Sequence, residues 1–232
     1  DAPACRVAPR VLRCDRRHGM TGATPLPRVL RVVVVRHAAA VAPATGTHDG
    51  SRGLTPAGQA AALRLAQFGI FDRASGFFAG PEARMAATIA PVAAVHGCPV
   101  VEMPALAEGA VGAWLSPDLF DATVRRYFTE PAAAAMPGWE PRHSVERRVA
   151  AQVEAVRGAC PPDSNPDRVV PGVAVVATGG RAAITFLADR LRWTVDEAHA
   201  AWLRLRFPDV AVIDLSADGA PRLVIPFGAL PV

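Results

Sequence analysis

Short continuous apolar runs alternate along the chain with stretches of helical period. LRVVVVRH (residues 30–37) is β-branched, bounded by Pro27 and by small residues, and predicts a strand buried on both faces of a parallel sheet. Its polar end, Arg36 and His37, falls where open α/β sheets place their ligands. Thr55-Pro56 reads as an N-cap followed by proline at the first helical position, opening a helix through AGQAAALRLAQF. SGFFAG predicts a second strand. Pro81 opens a helix over EARMAATIAPVAAVHG that Pro91 interrupts late, and CPVVEM predicts a third strand. GVAVVAT is another buried strand, ending at Thr178-Gly179-Gly180 and followed by the helix RAAITFLADRL. Thr194-x-x-Glu197 is a capping-box signature ahead of DEAHAAWLRL. VAVIDLS and PRLVIPF then suggest a terminal hairpin.

Strand and helix alternate, which predicts an α/β class: a three-layer α/β/α sandwich around a mostly parallel sheet. The pattern changes between about residues 107 and 171, where Pro, Gly and Trp punctuate the helical stretches PDLFDATVRRYF and HSVERRVAAQVEAVRG, and PPDSNPD is a loop by composition. This stretch is an insertion over one face of a domain spanning residues 28–232.

Charge changes the picture at one end only. Every one of the 25 basic residues is arginine, and residues 1–31 carry seven of them against two aspartates, which leaves the rest of the chain near neutral. Nucleic-acid binding would need a basic face on the folded part, so that class of partner is disfavoured. Residues 1–27 read as a basic leader, either a disordered tail or a segment ahead of a true start at Met20. No apolar run approaches the roughly 18–20 residues needed to span a bilayer, and the leader lacks the apolar core of a secretory signal. The chain is therefore read as soluble and cytoplasmic, with no membrane partner. Cys5, Cys14, Cys98 and Cys160 show no CxxC spacing and read as reduced thiols, a Cys5–Cys14 disulfide being possible on spacing alone.

Phosphoryl transfer needs a nucleophile or an activated water, cations around the phosphate oxygens, and an acid for the leaving group. Arg36 and His37 could supply the first two, since a neutral imidazole can attack phosphorus while a guanidinium pairs with two equatorial oxygens. An Arg-His pair after a strand can equally be a strand end without a chemical role. The ordered set VVVVRHA, then Asp49-x-x-Arg52-x-Leu54-Thr55 with Gly58, then GPEARMAATIAP, resembles the histidine phosphatase superfamily, branch 1, the phosphoglycerate-mutase-like group. RHA with D-x-x-R-x-LT is similar to the phosphohistidine-phosphatase type within it. The resemblance continues through LAEGAVGAW and VAVVATGGRAAITFLADRL and covers roughly residues 30–226. It implies that His37 becomes phosphorylated, that Arg36 and Arg84 bind the phosphate, and that Glu108 protonates the leaving oxygen. It implies no metal and no cofactor, and the spacing of His48, His96, His143 and His199 fits no metal motif; His143 reads as a surface residue.

Two departures matter. The family carries Ser/Thr-His-Gly-Gly where this chain reads Ala177-Thr178-Gly179-Gly180, and no histidine lies between His143 and His199. The Thr178 hydroxyl could donate one neutral hydrogen bond to the phosphate, and Gly179-Gly180 ahead of a helix offers backbone N–H groups as an anion site. Charge-assisted hydrogen bonds are roughly twice as strong as neutral ones. Losing one donor to a developing anion costs on the order of 10²–10³ in rate. Arg181, in the first turn of that helix, could reach inward to compensate, although a surface-facing side chain is the simpler expectation. After His37 the run Ala38-Ala39-Ala40-Val41 replaces the family's polar residues, so substrate discrimination falls to the insertion with Trp114, Tyr127 and Trp139, which serve equally well as packing. Two functions stand out. One is a metal-independent phosphatase of a small phosphomonoester or phosphohistidine, attenuated by Thr178; the other is a pseudophosphatase that binds a phosphorylated ligand or partner without turnover. A mutase, or a pocket reused for other acid–base chemistry, is less favoured; substrate and oligomeric state stay open.

Overall fold

The computed structural model describes residues 29–42, 49–109, 115–157, 159–160, 172–216 and 219–231. Six strands, β1 (Val29–Arg36), β2 (Ala74–Ala79), β3 (Val100–Glu102), β4 (Gly172–Thr178), β5 (Asp209–Ser216) and β6 (Arg222–Ile225), form one sheet in the order β3-β2-β4-β1-β5-β6. The first four in that order run parallel to their neighbours, whereas β5 is antiparallel to β1 and β6 to β5. The sheet is therefore mixed, with the terminal hairpin forming its antiparallel edge.

Alternation along the central strands sorts the core into two layers. Val32 and Val34 of β1 and Ala174 and Val176 of β4 face one side; Val33, Val35, Val175 and Ala177 face the other. The second side is covered by α1 (Pro56–Leu65) and α2 (Ala83–Val95). The first is covered by α5 (Gly180–Leu191), with α3 (Pro117–Thr129), α4 (Arg142–Arg157) and α6 (Val195–Arg204) packed around it. Val124, Tyr127, Val145 and Val149 of the insertion belong to the same buried cluster as β1 and β4, so the insertion shares the main core.

Local signals act as expected where they are self-contained. Thr55 caps α1 by accepting the Gly58 N–H at 3.0 Å, and Thr194 with Glu197 closes a reciprocal capping box on α6. Pro91 does not end its helix: α2 continues to Val95. The carbonyl that proline leaves without an intrahelical donor belongs to Ala87, on the exposed face, where water can satisfy it.

The leader with Cys5, Cys14 and Met20, and also His48 and Trp114, lie outside the described residues. Cys160 is a buried free thiol, but Cys98 is disulfide-bonded, which corrects the reduced-thiol expectation for that residue; local spacing cannot reveal such a pairing. Among the described residues no helix is long and apolar enough to cross a membrane, and no group of three His, Cys, Asp or Glu side chains is placed to hold a metal ion.

Candidate active site

The loop that leaves β1 is gripped from both sides. From α1, the Thr55 N–H donates to the Ala39 carbonyl at 2.9 Å and the Val41 N–H donates to Gly53 at 2.9 Å, with Ala40 bridging Leu54. Gly58 is required for this approach, because a Cβ there would lie 2.1 Å from the Ala39 oxygen. From α2, the Thr88 hydroxyl accepts the Ala38 N–H at 2.9 Å while donating to the Arg84 carbonyl at 2.7 Å. The LTPAG and R-x-x-x-T pieces of the sequence thus serve to fix the backbone on which His37 stands.

His37 is 8% exposed, and its two ring nitrogens have different partners. Nδ1 lies 2.8 Å from its neighbour's carbonyl, Ala38 O, and Nε2 lies 3.1 Å from Arg84 Nε. A carbonyl can only accept and a guanidinium can only donate, so the proton must sit on Nδ1 and the lone pair on Nε2. Burial first, then the Arg84 cation, pushes the His37 pKa down from 6.5 to about 3; the hydrogen bond to Ala38 opposes this and Arg36 and Arg52 add to it. The ring is neutral at every physiological pH, with a nucleophilic nitrogen facing a cation.

Arg36 lies between Thr178 of β4 and Asp209 of β5 in the sheet register. Its guanidinium carbon sits 3.5 Å from the centroid of Phe207 and 5.3 Å from that of Trp202. Stacking covers the face of the guanidinium but leaves its edge N–H groups unblocked, and Nε is buried with no partner. Burial lowers the Arg36 pKa to about 10, opposed by Glu108 and Asp209, so the group stays cationic at neutral pH. Phe207 also packs on the His37 ring, 5.4 Å between centroids. Replacing Phe207 by alanine should admit water to both groups. The His37 pKa then rises from about 3 toward its ordinary 6.5, which an NMR titration of the imidazole would read; an unmoved titration would remove Phe207 from any shielding role.

At the end of β4 the arrangement differs from expectation. The single hydroxyl proton of Thr178 goes to the Leu106 carbonyl, so in this geometry it is not offered to a phosphate. The helix N-terminus behind Gly179 is filled by the protein itself: Glu108 Oε1 accepts the Arg181 N–H at 2.9 Å and Arg181 Nε at 3.1 Å. Gly179 is the seat of that carboxylate, since a Cβ on it would fall 1.0 Å from Glu108 Oε2. Arg181 is only 3% exposed, which corrects the expectation that it faces solvent; the draw is an ion pair plus stacking on Trp139, 3.7 Å from the ring centroid. His143 is exposed beside Glu146, as its surface reading anticipates. Tyr127 and Trp139 are buried in the core, with the Tyr127 hydroxyl 3.1 Å from that of Thr185.

Several participants left no legible signal in the sequence. Glu82, the N-cap of α2, makes no cap bond but accepts the Glu108 N–H at 2.9 Å, and burial above all raises its pKa. Asp209, Trp202 and Phe207 surround Arg36 from a segment whose residues match no motif, and no signal in the sequence points to them.

A mixed sheet flanked by two helical layers, with Arg-His at the carboxyl end of its central strand, defines a phosphoglycerate-mutase-like fold. The histidine phosphatase superfamily (branch 1) matches residues 32–219, and the chain belongs to it. No curated protein sequence matches it significantly. Among solved structures it is similar to a protein described as mycobacterial hydrolase 1, at 19% identity and TM-score 0.68 over 88% of this chain and 100% of that one. It is also similar to mycobacterial glucosyl-3-phosphoglycerate phosphatase, at 19% identity and TM-score 0.66 over 85% and 98% of the two chains. A variant of phosphoserine phosphatase from Entamoeba histolytica in complex with phosphoserine aligns at 16% identity and TM-score 0.64 over 86% and 97%.

Proposed function

We infer that this chain is a metal-independent phosphatase of a small phosphorylated substrate, working through a phosphohistidine on His37. The observation that carries the reading is the fixed tautomer of a neutral, buried imidazole, with Nδ1–H held by a carbonyl and the Nε2 lone pair turned to Arg84. Phosphate entering between Arg36 and Arg84 takes over the guanidinium donors, and Nε2 is released to attack phosphorus in line. The N–P bond forms as the ester P–O bond breaks, and the leaving oxygen takes a proton from Glu108, whose Oε2 has no protein partner. Water then attacks phosphorus, gives a proton back to Glu108, and the N–P bond breaks to release inorganic phosphate.

Family membership supports phosphatase chemistry in general. The descriptions of two similar structures, phosphatases of glucosyl-3-phosphoglycerate and of phosphoserine, support a small phosphate monoester as the class of substrate. With Thr178 in place of a second histidine the site has one cation fewer, so turnover is slower than in a two-histidine site. The test is hydrolysis of p-nitrophenyl phosphate in excess EDTA: steady release of nitrophenol is the expected result. Saturable phosphate binding without any hydrolysis would instead establish the second reading, a pseudophosphatase, which the commitment of the Thr178 proton to Leu106 favours.

A further inference from the structure

Four hydrogen bonds converge on Glu108 and the backbone just before it, and two of them come from one residue. We propose that Arg181 is a positioning residue for the proton donor: it commits one oxygen of Glu108 so that the other is held free for the leaving group. The proposal rests on the phosphatase reading above and extends it to a residue outside the family's motif.

The geometry is that of a chelate. The Arg181 backbone N–H and side-chain Nε–H both donate to Oε1, at 2.9 and 3.1 Å, which stops rotation of the carboxyl group about its last bond. Arg181 is itself immobilised, with its guanidinium carbon 3.7 Å from the Trp139 centroid and 5.9 Å from that of Tyr127. The chain carrying Glu108 is tied twice more, through the Leu106 carbonyl to Thr178 and through the Glu108 N–H to Glu82 Oε1. None of these four hydrogen bonds reaches Oε2. Oε2 lies over the bare Cα of Gly179, buried and with no partner. A group that must deliver a proton to a developing oxyanion benefits from being fixed in advance.

The ion pair also eases a charge problem. A phosphate dianion approaching Arg36 would meet the Glu108 carboxylate, and the second histidine that could offset it is absent. Arg181 sits 3.1 Å from that carboxyl group and offsets its charge whenever it is ionised, which limits repulsion of the phosphate without restoring the cation missing at position 178.

General acid catalysis matters most when the leaving group is poor, and this separates positioning from mere support. Phenyl phosphate, which releases a weakly acidic phenol, should lose about 10²-fold in kcat in Arg181→Met, whereas p-nitrophenyl phosphate should lose less than about 5-fold. Glu108→Gln should show the same pattern, and the double variant should be no worse than Glu108→Gln alone. Arg181→Lys keeps the charge and the stem on Trp139 but not the oriented Nε–H; it should show the same discrimination at about 10-fold and keeps the test available if the methionine variant does not fold. Equal loss on both esters, or additive losses in the double variant, would overturn the proposal. A wild-type protein that hydrolyses neither ester would instead refute the phosphatase reading on which it stands, with no variant needed to see it.

Discussion

Exchange of His37 for alanine abolishes phosphate-ester hydrolysis, a loss of about 10⁴-fold or more. No neighbouring group can take over the attack. The Thr178 hydroxyl donates its proton to the Leu106 carbonyl, and Glu108 Oε1 is held by Arg181. The nucleophile depends on a lone pair at Nε2, and among the described residues His37 is the ring held in that tautomer beside two arginines. The fold should survive the change, since the backbone around position 37 is fixed by Thr55, Gly58 and Thr88 through contacts that do not involve the imidazole. Hydrolysis of p-nitrophenyl phosphate alongside circular dichroism checks both halves of this expectation.

Arg84→Met should cost about 10²–10³ in kcat/KM, the usual price of removing one charged donor from a developing anion. Arg84 is 1% exposed and points from α2 at the His37 Nε2, so methionine fills much of its volume without its charge. A second readout follows from the sign of its field. The Arg84 cation helps hold the His37 pKa down near 3, so its removal lets that pKa rise, and the acid limb of kcat/KM moves to higher pH. Loss of rate with an unmoved acid limb would mean that Arg84 acts on substrate alone and not on the nucleophile.

What the sequence made legible was local. The β-branched runs at 30–35 and 172–178 predict the two central strands because buried parallel strands are apolar on both faces, and Thr55-Pro56 and Thr194-x-x-Glu197 mark helix starts because capping is settled within four residues. Arg36, His37 and Arg84 are brought together as the ordered motifs imply. The β4 end was not legible. Whether the Thr178 proton meets a phosphate or a carbonyl depends on Leu106, 72 residues away, and whether Arg181 turns in or out depends on Glu108, 73 residues away. The stack of Phe207 on Arg36 depends likewise on β5 pairing beside β1, and no local pattern encodes it.

The most direct measurement is rapid acid-free quenching of the wild-type protein with p-nitrophenyl phosphate, followed by mass analysis of the peptide containing His37. A phosphohistidine mechanism predicts one phosphate on His37, stable in base, labile in acid and absent from His37→Ala. Steady hydrolysis with no phosphate on that peptide at any quench time would contradict it, and would leave His37 as a bystander to attack by water.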